Sequence, residues 1–551
     1  MLSVADRPRF EFDLPDEGAT ERFAQDMAMV AKPGWTIALH GDLGVGKTSF
    51  ARAFIRSLAR DPVLEVPSPT YTLVQPYSEP VPSVIHADLY RLSDPSELQE
   101  LGLDDPDDPA IRLIEWPDRA GDDAFVGALH LTLSISPSGG RLARLHGPDP
   151  MLEALAHSAR VRAFLDGSGY AHADRVRLAG DASARRYECL GWTPDAPIVM
   201  DAPRRPDGPP VRVDLGPAGI VEKPYSQLVH LAEDVDAFIA VGTALRANGL
   251  AAPAIHAADR DHGLLVIENL GSDGVLDSDG KPIAERYCAA ADALAEMHAK
   301  DWHAELPIST DAWPGHDGSN SRQKPGRGLD GSAIRADVSK PHQKGDWHTV
   351  HAYDTEVFLT EISLCPDWYI RHRASAGAPI EAFDRHAFFA SWQALLDPLE
   401  TAQRTLVLRD YHSPNIIWRG EQEGVSCIGI IDHQDALMGP PAYDLASLIH
   451  DARVTISPAL QDTMLSHYRT MRQALEHGFD ETALRQSLAL MQAQRGTKIL
   501  GIFARLNERD GKPQYLAHLP RIETYLRQAL THPALAPLRP HYEALLPGDV
   551  D

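Results

Sequence analysis

Cysteine is scarce in this 551-residue chain, and its four copies, Cys189, Cys288, Cys365 and Cys427, are scattered with no CxxC pair. That spacing suggests neither a zinc site nor a disulfide framework, and it fits reduced cytosolic thiols. Basic residues are outnumbered: 52 Lys and Arg stand against 78 Asp and Glu, a formal net charge of −26. Such a field repels a free polyanion instead of steering it in. No apolar run reaches the roughly 20 residues that a bilayer crossing takes. Met1–Phe10 holds charges and a proline but no apolar signal core. The expectation is a cytoplasmic protein without membrane contact. No internal repeat is apparent.

What is present is globular, with 43% hydrophobic and 24% charged residues, and long enough for at least two domains. Arg9 to Leu14 alternates like a short strand. Asp16 or Thr20 can cap a helix that carries Phe23, Met27 and Val30 at helical spacing. Thr36 to His40 reads as a buried strand, and Lys47 to about Ala59 as a helix. Between them lies Gly41-Asp42-Leu43-Gly44-Val45-Gly46-Lys47-Thr48, which fits the phosphate-loop pattern G-x-x-x-x-G-K-[ST] in its required strand–helix context. Glycines let backbone N–H groups turn towards a phosphate, and the helix N-terminus adds its positive dipole end. Lys47 supplies a point charge, and Thr48 a hydroxyl for Mg²⁺. Ser83 to Ala87 and Ile111 to Glu115 read as further buried strands, the latter placing the Glu115 carboxylate at its end. Leu129 to Ile135 alternates and is predicted to be an edge strand. His146-Gly147-Pro148-Asp149-Pro150 cannot continue regular structure and marks a boundary.

A helical pattern resumes at Met151 to Leu165. Arg175 to Leu190, Ile198 to Ala202 and Gly263 to Leu270 are predicted strands of a small sheet, Glu233 to Asn248 is a helix, and helices dominate from Tyr287 onward. Gly315 to His348 has almost no apolar periodicity and reads as an exposed, mobile insertion. Asp410 and Asn415, in Leu408-Arg409-Asp410-Tyr411-His412-Ser413-Pro414-Asn415, have the spacing of a kinase catalytic loop. Asp410 would take the proton of an acceptor hydroxyl, and Asn415 would ligate Mg²⁺. Asp432, at the end of the apolar run Cys427 to Ile431, suits the metal aspartate. The predicted fold is an α/β P-loop NTPase domain over residues 1–146, followed by an α+β protein-kinase-like bilobal domain. Its small lobe would span 151–272 and its mainly helical lobe 273–551.

The first motif set resembles the TsaE family. It comprises Gly41 to Thr48, Pro67-Ser68-Pro69-Thr70-Tyr71-Thr72-Leu73, His86-Ala87-Asp88-Leu89-Tyr90-Arg91-Leu92 and Ile114-Glu115-Trp116-Pro117. The likeness covers about residues 10–146. It implies an ATPase of tRNA threonylcarbamoyladenosine synthesis that supports TsaB- and TsaD-like proteins and does not itself grip tRNA strongly. It also implies nucleotide contacts from Gly41, Asp42, Gly44, Val45, Gly46, Lys47 and Thr48. Thr70 would belong to a nucleotide-sensing loop, Asp88 would be an essential acid, Glu115 the Mg²⁺-linked acid, and Trp116 would pack near the nucleotide.

The second set resembles the aminoglycoside phosphotransferase and choline kinase superfamily. Within it, Gly180 to Tyr187, Val199 to Pro203 and Pro441 to Leu448 are similar to AmgK, over about residues 155–545. That likeness implies an ATP- and Mg²⁺-dependent kinase of the anomeric hydroxyl of N-acetylmuramate and N-acetylglucosamine in cell-wall recycling. Ser183 would lie in the phosphate-covering turn, and Glu268 to Leu270 would form the adenine hinge. Asp444 would tie down the catalytic loop. The third-strand lysine of kinases is not evident, since Met200-Asp201 stands in that region, and Arg185 or Arg186 is the candidate replacement. Asp354, Glu356 and Asp367-Trp368-Tyr369 lie in the region where such kinases bind acceptors. The alternatives are an aminoglycoside- or choline-type kinase, or a scaffolding protein in which one site only senses ATP. Co-expression without coupling is the simpler account of why two such sites share a chain.

Overall fold

The computed structural model describes residues 10–546 apart from 93, 104, 106, 122–123, 138, 179–184, 309–346, 376 and 378–382. The insertion read from Gly315 to His348 therefore lies almost wholly outside the described residues, as does Ser183. The packing separates two compact units. One holds the described residues up to 202 together with 257–267, and the other holds 203–256, 268–308 and 347–546.

The first unit begins with β1 (Phe10–Leu14), α1 (Glu17–Val30), β2 (Thr36–His40) and α2 (Lys47–Ala59). Asp16 caps α1, its carboxylate accepting from the Ala19 N–H at 2.7 Å. There follow β3 (Val74–Tyr77), β4 (Val84–Asp88), β5 (Ile111–Glu115), β6 (Leu129–Ile135) and β7 (Arg141–His146). The seven strands form one sheet in the order β1-β7-β6-β2-β5-β4-β3. β2 runs parallel to β5 and β6, and β4 runs parallel to β5. Phe23, Met27, Phe50 and Phe54 of the two helices bury against Ile37, Leu39, Leu113 and Leu131 of the sheet.

One expectation is corrected here. β6 is an interior strand, parallel to β2 on one side and antiparallel to β7 on the other. Its alternation reflects two differently covered faces, which says nothing about lateral partners. The sheet continues through β7, whose Arg-Leu-Ala-Arg-Leu-His sequence ends where the boundary was expected.

Still within this unit, α3 (Asp149–Gly167) leads to β8 (Val176–Arg177), β9 (Arg186–Cys189) and β10 (Ile198–Asp201). These strands join Leu264–Ile267 and Ile255–Asp259 in a five-stranded sheet. None of the four cysteines is bonded; Cys189, on β9, is half-buried and the others are buried.

The second unit is mainly helical, with helices at Val235–Ala247, Ala284–His298, Thr355–Leu364, Pro458–Leu475, Glu481–Asp510 and Leu519–Leu530. Two short antiparallel pairs carry its functional loops: Thr405–Val407 with Leu437–Gly439, and Ile416–Trp418 with Ile428–Ile430. Among the described residues no helix is long and apolar enough to cross a membrane.

Candidate functional sites

Three neighbouring parallel strands of the first unit end together. β2 runs into the Gly-rich loop, β5 ends at Glu115 and β4 at Asp88, and Asp88 lies opposite Glu115 in register. Ligands of parallel sheets bind beyond such carboxyl ends. At Gly41, φ is +132° and a Cβ would strike the Leu133 carbonyl, so only glycine allows the loop to turn there. Val45 is buried beneath the loop, while Asp42 and Gly44 face outward. Gly46 caps α2 in the left-handed region.

Lys47 donates to the Gly41 and Asp42 carbonyls at 2.6 and 3.0 Å. Its ammonium also stands 3.7 Å from the Trp116 ring centroid, a cation–π contact. Burial lowers its pKa, opposed by Glu115, Asp88 and Asp42. The Thr48 hydroxyl donates to both Glu115 oxygens, at 2.9 and 3.1 Å. Thr70 donates to Asp88 at 2.7 Å, with Ser68 donating at 3.3 Å. Lys47, Thr48, Thr70, Asp88, Glu115 and Trp116 thus form one constellation. The Thr48 hydroxyl beside the Glu115 carboxylate suits Mg²⁺, and the Lys47 ammonium beside them suits a phosphate.

Two members of this site escaped sequence reasoning. His86 is fully buried, with Nε2 2.9 Å from Glu115 Oε1. It precedes Asp88 by two positions on β4, so strand alternation alone places both on one face. Arg141, at the start of β7, donates to the Val45 carbonyl at 2.6 Å and braces the loop from behind. His86→Ala is expected to weaken Mg²⁺-dependent ATP hydrolysis about ten- to hundredfold, as losing a residue that orients a metal-site acid does. Titrating Mg²⁺ at saturating ATP measures it, and an unaltered Mg²⁺ profile would contradict it.

In the second unit, Ile416 pairs with Ile430, and the Ile431 N–H donates to the Asn415 carbonyl at 3.1 Å. This register sets Asn415 beside Asp432. The Asn415 amide donates to the Asp410 carbonyl at 2.9 Å, and Gln434 donates to Asp432 at 2.8 Å. The backbone thus brings Asp410, Asn415 and Asp432 together, and the Asn415 carboxamide and the Asp432 carboxylate are the groups that suit Mg²⁺. Asp444, fully buried, accepts from the Leu408 and Arg409 N–H groups at 2.7 and 2.9 Å. It fastens the catalytic loop, as the resemblance implied. Arg409 holds φ +70°, an uncommon conformation for a residue with a side chain.

Glu268 is taken up locally: its backbone N–H donates to the Ala254 carbonyl at 2.7 Å, and its carboxylate pairs with Arg246 at 3.1 Å. Leu270 is buried beside Gly429, on the strand that leads to Asp432. Arg186 is exposed at the start of β9, in register with Asp201. Asp354 caps helix Thr355–Leu364, and the Tyr369 hydroxyl donates to Glu523 at 2.6 Å in the interior. These two residues hold the helical framework.

Sequence reasoning also missed a buried ionic cluster next to Asp410. Glu361 accepts from Arg409, from Lys498 at 2.7 Å and from the Tyr353 hydroxyl. Arg495, one turn before Lys498, donates to the Arg409 carbonyl at 2.9 Å and lies 3.7 Å from the Asp410 carboxylate. No local pattern could have revealed it, because its partners lie 137 and 86 residues apart.

The two sites define a P-loop nucleotide hydrolase and a phosphotransferase of protein-kinase-like fold, each using ATP. Residues 174–477 match the family described as "Phosphotransferase enzyme family", and residues 14–143 match "Threonylcarbamoyl adenosine biosynthesis protein TsaE". The chain belongs to the phosphotransferase enzyme family, with a TsaE-family domain fused ahead of it. It is 34% identical over 396 residues to the N-acetylmuramate/N-acetylglucosamine kinase of Caulobacter vibrioides, which covers 71% of this chain and 96% of that protein. With the Pseudomonas aeruginosa protein of the same name it shares 30% over 378 residues, 66% of this chain and 87% of the relative. The tRNA threonylcarbamoyladenosine biosynthesis protein TsaE of Rickettsia bellii is 42% identical over 103 residues, 19% of this chain and 71% of the relative.

Proposed function

We infer that the second site phosphorylates the anomeric hydroxyl of N-acetylmuramate and N-acetylglucosamine, and that the first hydrolyses ATP in support of threonylcarbamoyladenosine formation on tRNA. The observation that carries the kinase reading is the Asp410–Asn415–Asp432 cluster, in a chain that matches an amino-sugar kinase along nearly that relative's whole length. Asp410 accepts the sugar hydroxyl proton as the oxygen bonds to the γ-phosphorus of ATP. The bond from that phosphorus to the β–γ bridging oxygen breaks, leaving ADP and a sugar 1-phosphate. Asn415 and Asp432 would hold Mg²⁺, which neutralises charge on the transferring phosphoryl group.

In the first unit Lys47 and the loop N–H groups would hold the phosphates. Thr48 and Glu115 would hold Mg²⁺, and Asp88 with Thr70 would sense the terminal phosphate. The partners are TsaB- and TsaD-like proteins. The net charge of −26 supports contact with tRNA through them rather than directly. Both activities fit a cytoplasmic protein.

Purified chain incubated with each sugar and ATP is expected to yield sugar 1-phosphate and ADP. No product from either sugar would defeat the kinase assignment. In cells, Lys47→Ala is expected to deplete threonylcarbamoyladenosine in nucleoside mass spectra of tRNA, and normal levels would defeat the first assignment.

A further inference from the structure

The second unit holds a cavity that the phosphoryl-transfer cluster does not use: none of Asp410, Asn415 and Asp432 lines it. Its volume is about 620 Å³, within the range of small-molecule sites, and its walls come from residues 394–403, 440–442, 472–490 and 534–535. Most of the lining is apolar, with Leu399, Phe479, Leu484 and Leu535 among it. The polar end is Arg472, on helix Pro458–Leu475, together with Glu476 and Gln403. Arg472 is fully buried and pairs with Glu476, which also accepts from Gln403 at 3.3 Å. Its guanidinium stands 5.5 Å from the Phe479 ring centroid. The Arg472 Nε has no hydrogen-bond partner among the described residues.

From the same guanidinium a chain of buried contacts leads to the catalytic loop. Arg472 Nη1 donates to the Tyr468 hydroxyl oxygen at 3.0 Å, and that oxygen lies 2.8 Å from His298 Nδ1. His298 Nε2 stands 3.7 Å from Asp444, the carboxylate that accepts from the Leu408 and Arg409 N–H groups. Tyr468, His298 and Asp444 are each at most 1% exposed. Burial lowers the His298 pKa against the pull of Asp444 and raises that of Tyr468, so both are uncharged at neutral pH. The Tyr468 oxygen, already accepting from Arg472, gives its own hydrogen to Nδ1. That leaves the ring hydrogen on Nε2, facing Asp444. The chain thus runs in one sense, from the cavity's guanidinium to the carboxylate that fastens the loop of Asp410.

We propose that this cavity is an effector site of the kinase: it takes an uncharged, mainly apolar small molecule with an acceptor oxygen, and its occupancy steadies the catalytic loop through Arg472, Tyr468, His298 and Asp444. The proposal rests on the reading of Asp410 as the base of a kinase in this unit. The class of ligand follows from the charges. Arg472 is already neutralised by Glu476, and Asp480, the other lining carboxylate, accepts from the Thr482 and Ala483 N–H groups as a helix cap. A charged occupant would lose its water without gaining an uncompensated countercharge, a cost that an uncharged one escapes. An acceptor oxygen engages the unpartnered Nε. With the walls filled, the long Arg472 side chain is confined against Tyr468, and the contacts down to Asp444 are held.

The probe is Nile red, an uncharged apolar dye with a carbonyl oxygen, added to the full chain with saturating Mg²⁺–ADP to keep it out of the nucleotide sites. Its fluorescence is expected to rise and saturate as for a single site. Ala483 is an exposed residue of the cavity lining. Ala483→Trp fills the space and should weaken binding about tenfold or more; Ala483→Leu is the smaller intrusion should that variant fold poorly. Amide exchange at Leu408 and Arg409 should slow about five- to tenfold at dye ten times its Kd, since a ligand of the closed form alone slows opening by up to 1 + [L]/Kd. Tyr468→Phe leaves the lining intact and breaks the chain. It should bind the dye within about twofold of wild type, as independent sites do, and lose most of the protection. In the phosphorylation assay, run without ADP, the dye should alter kcat about twofold or more in wild type and not in Ala483→Trp.

Absence of dye binding, or binding that survives Ala483→Trp undiminished, would overturn the proposal. So would saturable binding with unaltered exchange at Leu408 and Arg409, or full protection retained in Tyr468→Phe. If the wild-type chain phosphorylates neither sugar, the acceptor assignment fails, and dye binding and exchange still decide the role of the cavity.

Discussion

Asp410→Asn is expected to lower kcat for sugar phosphorylation about 10²- to 10⁴-fold, the usual contribution of a general base. The substitution keeps the shape of the side chain and removes only its capacity to take a proton. The loop around it should stand, because Asp444 fastens it from below and Arg495 holds the Arg409 carbonyl. The loss should therefore fall on kcat while KM for ATP changes little. Burial pushes the Asp410 carboxyl up, but Arg495, His412, Lys498 and Arg409 outweigh burial and bring it to about 2. A depressed pKa means the carboxylate is ionised well below neutrality. The deficit of the variant should accordingly be flat across the neutral range, and an acid limb seen there belongs to another group. Arg495→Gln removes the strongest of these positive influences and should raise the Asp410 pKa, moving that carboxylate's own limb up from strongly acid pH. Steady-state ADP release over a pH series measures all of this. A variant that keeps more than about a tenth of wild-type kcat would rule Asp410 out as the base.

The second large effect concerns stability. Glu361→Ala is expected to destabilise the second unit by about 3–5 kcal/mol, because it strands the buried charges of Lys498 and Arg409. Glu361 is fully buried, and its oxygens also accept from the Tyr353 hydroxyl and from Gln494 at 3.1 Å. Burial opposes its charge, yet Lys498 and Arg409 prevail and lower its pKa from 4.5 to about 2. With the folded-state pKa depressed, the contribution is complete above the ordinary value of 4.5 and is lost as pH falls towards 2. Wild-type protein should thus lose this stability in acid, and the Glu361→Ala variant should show a flatter acid profile. Urea unfolding, read as exchange protection of Leu408 to Tyr411, measures the difference. A shift under about 1 kcal/mol would mean that the cluster relaxes or takes up water, contrary to the cost of an unpaired buried charge.

The parts of this molecule legible in its sequence are those whose physics is local. The phosphate loop needs its glycines, a strand before it and a helix after it within a dozen residues, and all three are written contiguously. Asp410, Asn415 and Asp432 sit in loops flanking short apolar strands whose register follows from the chain between them. His86 was within reach through its two-residue offset from Asp88, had alternation been followed along β4. What stayed hidden depends on lateral or distant partners. The interior place of β6 is a property of β2 and β7 beside it. The Glu361 cluster and the Asp26–Arg175 pair close over separations of 137 and 149 residues. Charged side chains in such places look, in sequence, like any solvated helix face.

The distribution of thiols gives the chain a reporter of its own. Cys288, Cys365 and Cys427 are buried, while Cys189 is half-buried on β9, one residue from Glu188. Burial raises its pKa, so it reacts slowly, but it is the cysteine a maleimide dye should reach first. The dye's rate of attachment would report how far β9 opens to solvent, without engineering a single residue.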